Sequence, residues 1–259
     1  MTWQHIRFDV SGAGVATITL DRADSLNALN AAMLDEIRAA VEDLPGAGAR
    51  ALLLAGEGRG FSSGADLASG GGLPEDVGAA LEAHFNPLIE ALFACPLPVV
   101  AAVNGPCAGA GCSLALAADI VIAGRSAYFL QAFINIGLIP DAGATWLLPR
   151  LAGRARAMEM MMLGERVPAE RAAEWGLISR VVEDDELARE AVALATRLAQ
   201  GPTIAYGLLR RLASNAEQLS LTDALAAERV AQREAGRTDD FRTAVIAFLQ
   251  KQQPRFEGR

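Results

Sequence analysis

The chain has 259 residues, 52% of them hydrophobic and 21% charged, which is the balance of a globular protein and not of a disordered one. Its net charge of −8 disfavours a nucleic-acid surface and a polybasic membrane anchor, because both need clustered positive charge. No apolar run reaches membrane-spanning length and the N-terminus has no apolar signal core, so a cytoplasmic protein with no nucleic-acid or membrane partner is expected.

Three cysteines, Cys95, Cys107 and Cys112, form no disulfide framework. With His5 and His84 as the only histidines, a metal site is not expected, and small, reduced, buried cysteines are.

In chain order, Ile6 to Val10 and Val15 to Leu20 alternate around Ser11-Gly12-Ala13-Gly14, a β-hairpin signature. Asp21 to Leu29 reads as a loop. A helix follows from about Asn30, with Met33, Leu34, Ile37, Val41 and Leu44 on one face, and Pro45-Gly46 ends it. Ala51 to Ala55 is a buried strand. A glycine-rich segment, Gly56 to Leu67, comes next, and a loop through Gly70-Gly71-Gly72 leads to a helix from about Glu75 to Ala94.

Leu97 to Val103 is a second buried strand. Asn104-Gly105-Pro106 is a turn, and Gly109-Ala110-Gly111 opens a helix that runs to Ala118. Asp119 to Ala123 is a further strand. Gly137 to Gly143 is a turn before a short helix through Leu148. Gly153 to Leu163 and Pro168 to Trp175 read as helices, and Ile178 to Val182 as a short strand. Strand–helix alternation argues for an α/β fold with parallel sheets. From Asp185 onward the pattern is helical, which divides the chain into a core over 1–200 and a helical C-terminal region over 201–259, with the boundary near Gly201-Pro202.

The stretch Asn104 to Asp119 has the character of a site. Bare residues at a helix start leave N–H groups free for a ligand oxygen; tight helix–strand packing would need the same small residues. Gly109-x-Gly111 lacks the third glycine of a dinucleotide fingerprint. Gly111-Cys112-Ser113 is close to a nucleophile elbow, but no histidine follows it in the chain, which weakens a hydrolase reading. A second small-residue segment, Ser63-Gly64-Ala65, also follows a strand. If both strands share a parallel sheet, two N–H groups can hold one oxygen. With Asp141 as a carboxylate, that arrangement suits proton transfer beside a thioester carbonyl.

Asp21-Arg22 with Ser25 to Leu29, Gly60 to Leu67, and Asn104 to Asp119 together resemble the crotonase family of enoyl-CoA hydratases and isomerases, and the likeness runs over essentially the whole chain. The resemblance implies a crotonase-like spiral of β-β-α repeats with a helical C-terminal trimerisation region. It also implies an acyl-CoA thioester as ligand and a homotrimer or hexamer. Coenzyme A enters as part of the substrate, so no separate cofactor is implied. The resemblance puts the oxyanion N–H donors at Ala65 and Ala110. It lines the CoA path with Leu26, Ala28, Ser63, Gly64, Asp66 and Leu67, and has Phe248 and Lys251 close a neighbouring subunit's site.

The departures narrow the chemistry. The two glutamates with which family hydratases handle water fall on Ser113 and Phe133, so hydration by that route is not expected. Asp141 falls where isomerase-type members place their acid; otherwise it is an N-cap of the following helix. For Ser113 a buried helix hydroxyl bonded to a backbone carbonyl is expected. Phe85 to Leu88, Gly137 to Asp141, Thr145 to Arg150 and Ala152 to Met158 look most like the ring-isomerising branch of phenylacetate degradation. That likeness implies isomerisation of 2-(1,2-epoxy-1,2-dihydrophenyl)acetyl-CoA. Δ3,Δ2-enoyl-CoA isomerisation, hydration, and acyl-CoA binding without catalysis are the alternatives.

Overall fold

The computed structural model describes residues 3–67 and 76–259. The hairpin forms as expected: β1 (Ile6–Val10) pairs antiparallel with β2 (Val15–Leu20). Asn30 caps α1 (Ala31–Asp43) by accepting from the Met33 N–H at 2.9 Å, and Met33, Leu34, Ile37 and Val41 are buried. β3 (Ala51–Gly56) then pairs in parallel with β2.

The helix expected over 75–94 is not regular. It consists of α2 (Val77–Ala80), a widened turn at Leu81–Phe85, and α3 (Asn86–Ala94). Pro87 has no N–H to donate, and its ring crowds the carbonyl four residues back. The ladder slips by one residue there, so that the Asn86 N–H bonds the Leu81 carbonyl. Glu75 and the Gly70-Gly71-Gly72 loop lie outside the described residues.

β4 (Val99–Val103) is followed by a strand that the sequence does not announce, β5 (Pro106–Ala108), and only then by α4 (Gly109–Leu116). After β6 (Ile120–Gly124) comes a second unannounced strand, β7 (Tyr128–Leu130). α5 (Ala144–Ala152) runs past the expected end at Leu148 and contains Pro149. α6 (Arg154–Leu163) leads through a third short strand, β8 (Val167–Pro168), to α7 (Ala169–Glu174) and β9 (Arg180–Val182). Strands of two or three residues hold too few side chains for a period-2 pattern to register.

The large sheet has the order β1-β2-β3-β4-β6-β9 and is parallel from β2 to β9; β5, β7 and β8 form a small second sheet. The chain alternates between the sheets and returns by a helix, as in β4-β5-α4. This is the β-β-α spiral. β3, β4 and β6 carry continuous apolar runs because both faces of the large sheet are covered. One face meets α1, α3 and α4. The other presents Ala51, Leu53, Val100, Ala102 and Ile122 to Ala191, Ala195 and Ala199 of α8 (Leu187–Ala199).

Three further helices follow, α9 (Thr203–Asn215), α10 (Leu221–Ala235) and α11 (Asp239–Leu249). α9 is tied to the core by Arg210. Its Nε donates to both Asp119 carboxylate oxygens, at 2.8 and 2.7 Å, and its terminal nitrogens donate to the Cys95 and Leu92 carbonyls. Asp119 also accepts from the Val99 N–H at 2.7 Å, so one ion pair joins α3, β4 and α9. Removing one member leaves the other charge partly buried and two carbonyls unpaired. Arg210→Ala is therefore expected to cost about 3 kcal/mol, read as a lower urea midpoint at fixed protein concentration. Arg50 does similar work at the other end, donating to Gly201, Thr203 and Phe256. No helix among the described residues is long and apolar enough to cross a membrane.

Candidate active site

The site is assembled from three stretches far apart in sequence. The first is the loop after β2. Leu26 and Asn27 both have positive φ, 53° and 54°. Asn27 is fully buried: its amide donates to the Glu57 and Gly60 carbonyls at 3.0 and 2.9 Å and accepts from the Arg22 N–H at 2.9 Å. Asn tolerates the left-handed region and mimics backbone in turns, which makes it a fit staple for this bend.

The second stretch, after β3, zips onto the first. Ser63 N–H donates to the Leu26 carbonyl at 2.8 Å, Leu29 N–H to Gly64 at 2.8 Å, and Asp66 N–H to Leu29 at 2.9 Å. In this parallel bridge between Leu29 and Ala65, the groups of residues 64 and 66 face the partner. The Ala65 N–H therefore points the other way, and it has no hydrogen-bond partner among the described residues. Arg22 holds the edge, bonding the Ala28 carbonyl and pairing with Asp66 at 2.8 Å.

The third stretch is β5 with α4. Ser62 N–H donates to Pro106 at 3.1 Å and Ala108 N–H to Ser62 at 2.9 Å, so the two glycine-rich segments run side by side. β3 and β4 are indeed parallel neighbours, the condition on which the two-donor reading depended. Approach is close enough that a Cβ at Gly111 would lie 2.5 Å from the Ser62 side chain. Ala110, in the first turn of α4, is buried, and its N–H is likewise unpartnered among the described residues.

Asp141 joins this group through α4. Ser113 is fully buried and its hydroxyl lies 3.5 Å from the Gly109 carbonyl and 3.0 Å from the Asp141 carbonyl. This is the carbonyl-bonded hydroxyl expected for Ser113, with an added consequence: it ties the Asp141 loop to the helix that carries Ala110. Asp141 is not an N-cap. Gly143 holds that position in α5 and no side chain caps the helix; Asp141 contributes only its backbone carbonyl, to the Ala144 N–H at 3.0 Å. Its carboxylate Oδ1 is buried without a partner among the described residues. Burial alone lifts its pKa from 3.8 to about 6. Phe133, at the other glutamate position, places its ring 3.8 Å from where a Cβ of Gly109 would sit.

Leu26, Ala28, Ser63, Gly64, Ala65, Asp66, Ala110 and Asp141 are thus brought to one place. Leu67 continues the edge and is exposed. Phe248 and Lys251 are not joined to it by any hydrogen bond or ion pair within the described chain. They stand exposed at the end of α11, and Lys251, the chain's single lysine, has φ 58°. The sequence reading passed over the stapling roles of Asn27 and of Ser62, whose hydroxyl donates to the Asn27 carbonyl at 2.8 Å. The signal available was polar residues inside glycine-rich loops, which usually bond backbone. Cys95, Cys107 and Cys112 are free and buried as expected, and burial pushes the Cys107 thiol up.

The spiral and its glycine-rich strand ends define an α/β protein of the β-β-α spiral class. Residues 11–259 match the model of the enoyl-CoA hydratase/isomerase family. A Rhodobacter capsulatus protein named "Probable enoyl-CoA hydratase" is 47% identical over the full length of both chains. The 1,2-epoxyphenylacetyl-CoA isomerase of Escherichia coli is also 47% identical, over 95% of this chain and 96% of that one. The crystal structure of an enoyl-CoA hydratase from Bacillus anthracis superposes with a TM-score of 0.94 at 34% identity, covering 99% of this chain and all of the other. The chain belongs to the crotonase, or enoyl-CoA hydratase/isomerase, family.

Proposed function

We propose that this enzyme is an acyl-CoA isomerase. The thioester oxygen sits between the Ala65 and Ala110 N–H groups, which stabilise the enolate formed when Asp141 removes a proton beside the carbonyl. The same carboxyl returns the proton two carbons further along, so the double bond shifts and no atom is gained or lost. Leu26, Ala28, Ser63, Gly64, Asp66 and Leu67 line the CoA path. The Arg22 partner offsets the Asp66 charge there.

The observation that carries this reading is the environment of Asp141. Its carboxylate has an unpartnered oxygen and a raised pKa, while both hydratase glutamate positions lack a carboxylate. Together with the Escherichia coli relative, this favours the 1,2-epoxyphenylacetyl-CoA ring as substrate, in phenylacetate degradation. Hydration is the second reading, because the Rhodobacter capsulatus relative of equal identity bears that name. A panel of the phenylacetyl-CoA ring epoxide, a 3-enoyl-CoA and crotonyl-CoA separates them. Isomerised product without 3-hydroxyacyl-CoA is expected; hydration of crotonyl-CoA as the fastest reaction would overturn the assignment.

As a base, Asp141 acts in its ionised form. Its pKa of about 6 predicts that kcat/KM rises with pH through about 6 and is flat above about 7, measured with a 3-enoyl-CoA.

The assembly expected is a homotrimer or hexamer. The tail exposes Leu221 and Leu225 on α10, and Phe241, Ile246, Phe248 and Leu249 on α11, a larger apolar display than a monomer ordinarily carries. Light scattering at micromolar concentration should give a multiple of three times 27.1 kDa. A monomer would remove the role given to Phe248 and Lys251.

A further inference from the structure

The Ala65 and Ala110 N–H groups are aimed by different means. Ala110 sits in the first turn of α4, where the helix sets the direction of its N–H. Ala65 lies in a loop. Its N–H shares a peptide plane with the Gly64 carbonyl, and in a trans peptide the two point opposite ways. The Gly64 carbonyl accepts from the Leu29 N–H at 2.8 Å, so that bond sets where the Ala65 N–H points. Gly64, at φ +94°, has no side chain to restrain the plane.

Arg22 grips both sides of this bond. Its guanidinium donates to the carbonyl of Ala28, the neighbour of Leu29, and at 2.8 Å to the carboxylate of Asp66, the neighbour of Ala65. The Arg22 and Asp66 side chains are only 22% and 8% exposed, and a charge-assisted pair so little hydrated holds its geometry better than a surface one. The base of the arginine is anchored as well. Its N–H donates to Asn27 Oδ1 at 2.9 Å, and its carbonyl accepts from the Asn27 and Ser25 N–H groups at 2.9 and 3.0 Å. A planar fork reaches two partners at fixed angles, which the point charge of a lysine does not.

We propose that Arg22 is a positioning residue for the Ala65 N–H, its guanidinium clamping Ala28 and Asp66 on either side of the Leu29–Gly64 hydrogen bond and so fixing the direction in which that N–H points. The inference rests on the placement of the thioester oxygen at Ala65 and Ala110. It adds a charged side chain, outside the reacting groups, on which one of the two donors depends.

The test is the infrared stretch of the thioester carbonyl in bound phenylacetyl-CoA, carbon-13 labelled at that carbonyl, which has neither an epoxide nor a 3-ene to rearrange. A carbonyl held by two N–H groups is polarised and absorbs at lower frequency than the same thioester free in water. The parent should show this lowering, Arg22→Lys should lose part of it, and Arg22→Gln should lose more. With a 3-enoyl-CoA, kcat should fall about 10-fold in Arg22→Lys and about 10²-fold in Arg22→Gln, with KM within about threefold of the parent. Arg22→Lys keeps the Asp66 charge paired and carries the comparison if Arg22→Gln folds poorly. A lowering that survives both substitutions, or a raised KM at unchanged kcat, overturns the proposal and leaves Arg22 as a support of the CoA path. A lysine variant equal to the parent overturns it too, since charge alone would then suffice. A parent with no lowering removes the thioester placement and this proposal together. A lowering that depends on Arg22 in a protein that isomerises nothing in the substrate panel supports the proposal and removes the isomerase reading alone.

Discussion

Asp141→Asn is expected to lower kcat by about 10³-fold or more, while acyl-CoA binding stays within a few-fold of the parent. The amide keeps the shape of the carboxylate and can accept a hydrogen bond, but it cannot take a proton at neutral pH. No second carboxylate stands at the glutamate positions, where Ser113 is engaged by two carbonyls and Phe133 packs against Gly109. Ser113→Ala is the companion measurement. Releasing the Asp141 carbonyl from α4 should lower kcat about tenfold through misplacement, not by orders of magnitude. If Asp141→Asn turns over within a few-fold of the parent, the proton is moved by another group.

The same substitution has a stability signature. The pKa of Asp141 is raised from 3.8 unfolded to about 6 folded, so folding favours the protonated form. That contribution is full below about pH 4 and is lost as pH rises through about 6. Asp141→Asn should therefore be more stable than the parent at pH 8, by about 1–2 kcal/mol after discounting for partial solvent access, and the gap should close toward pH 4. Urea midpoints at the two pH values measure it. A variant less stable than the parent at pH 8 would contradict burial as the cause of the raised pKa.

Gly64→Ala is the second large expected effect. Gly64 has φ +94°, a conformation that a residue with a Cβ adopts only with strain. A Cβ there would fall 2.9 Å from the Ala108 carbonyl oxygen, which is backbone and cannot swing aside. The segments carrying Ala65 and Ala110 are pressed together at this point, so relief must come from separating them. An ångström of separation misaligns the two N–H groups that the proposed mechanism requires to converge on one oxygen. We expect kcat to fall about 10²–10³-fold, with a smaller change in CoA affinity and a stability loss of about 2 kcal/mol. Single-turnover kinetics with a 3-enoyl-CoA separate the catalytic loss from the folding loss. Normal turnover in a destabilised Gly64→Ala would mean that the two N–H groups do not act on one atom.

Much of this protein was legible in its residues. β3, β4 and β6 stand out as unbroken apolar runs, because strands covered on both faces have no polar side to alternate with. α1 and α8 show their helical spacing, because each buries one stripe. The glycine-rich segments around Ala65 and Ala110 mark where backbones approach, and the lack of a carboxylate at 113 and 133 already argued against hydration. Other features exist only in three dimensions. β5, β7 and β8 are too short to pattern, yet β5 sets Ser62 against Pro106 and Ala108 and so holds the segments that carry Ala65 and Ala110 side by side.

The role of Asp141 was likewise open between a helix cap and a base. Capping depends on where the first turn of α5 begins, and Gly143 took that place. Its raised pKa comes from burial, and its tether comes from Ser113, 28 residues away. Composition and spacing determine which elements form and which chemistry is available. Burial and the pairing of distant backbones decide which acid, Asp141, has a carboxylate oxygen without a partner among the described residues.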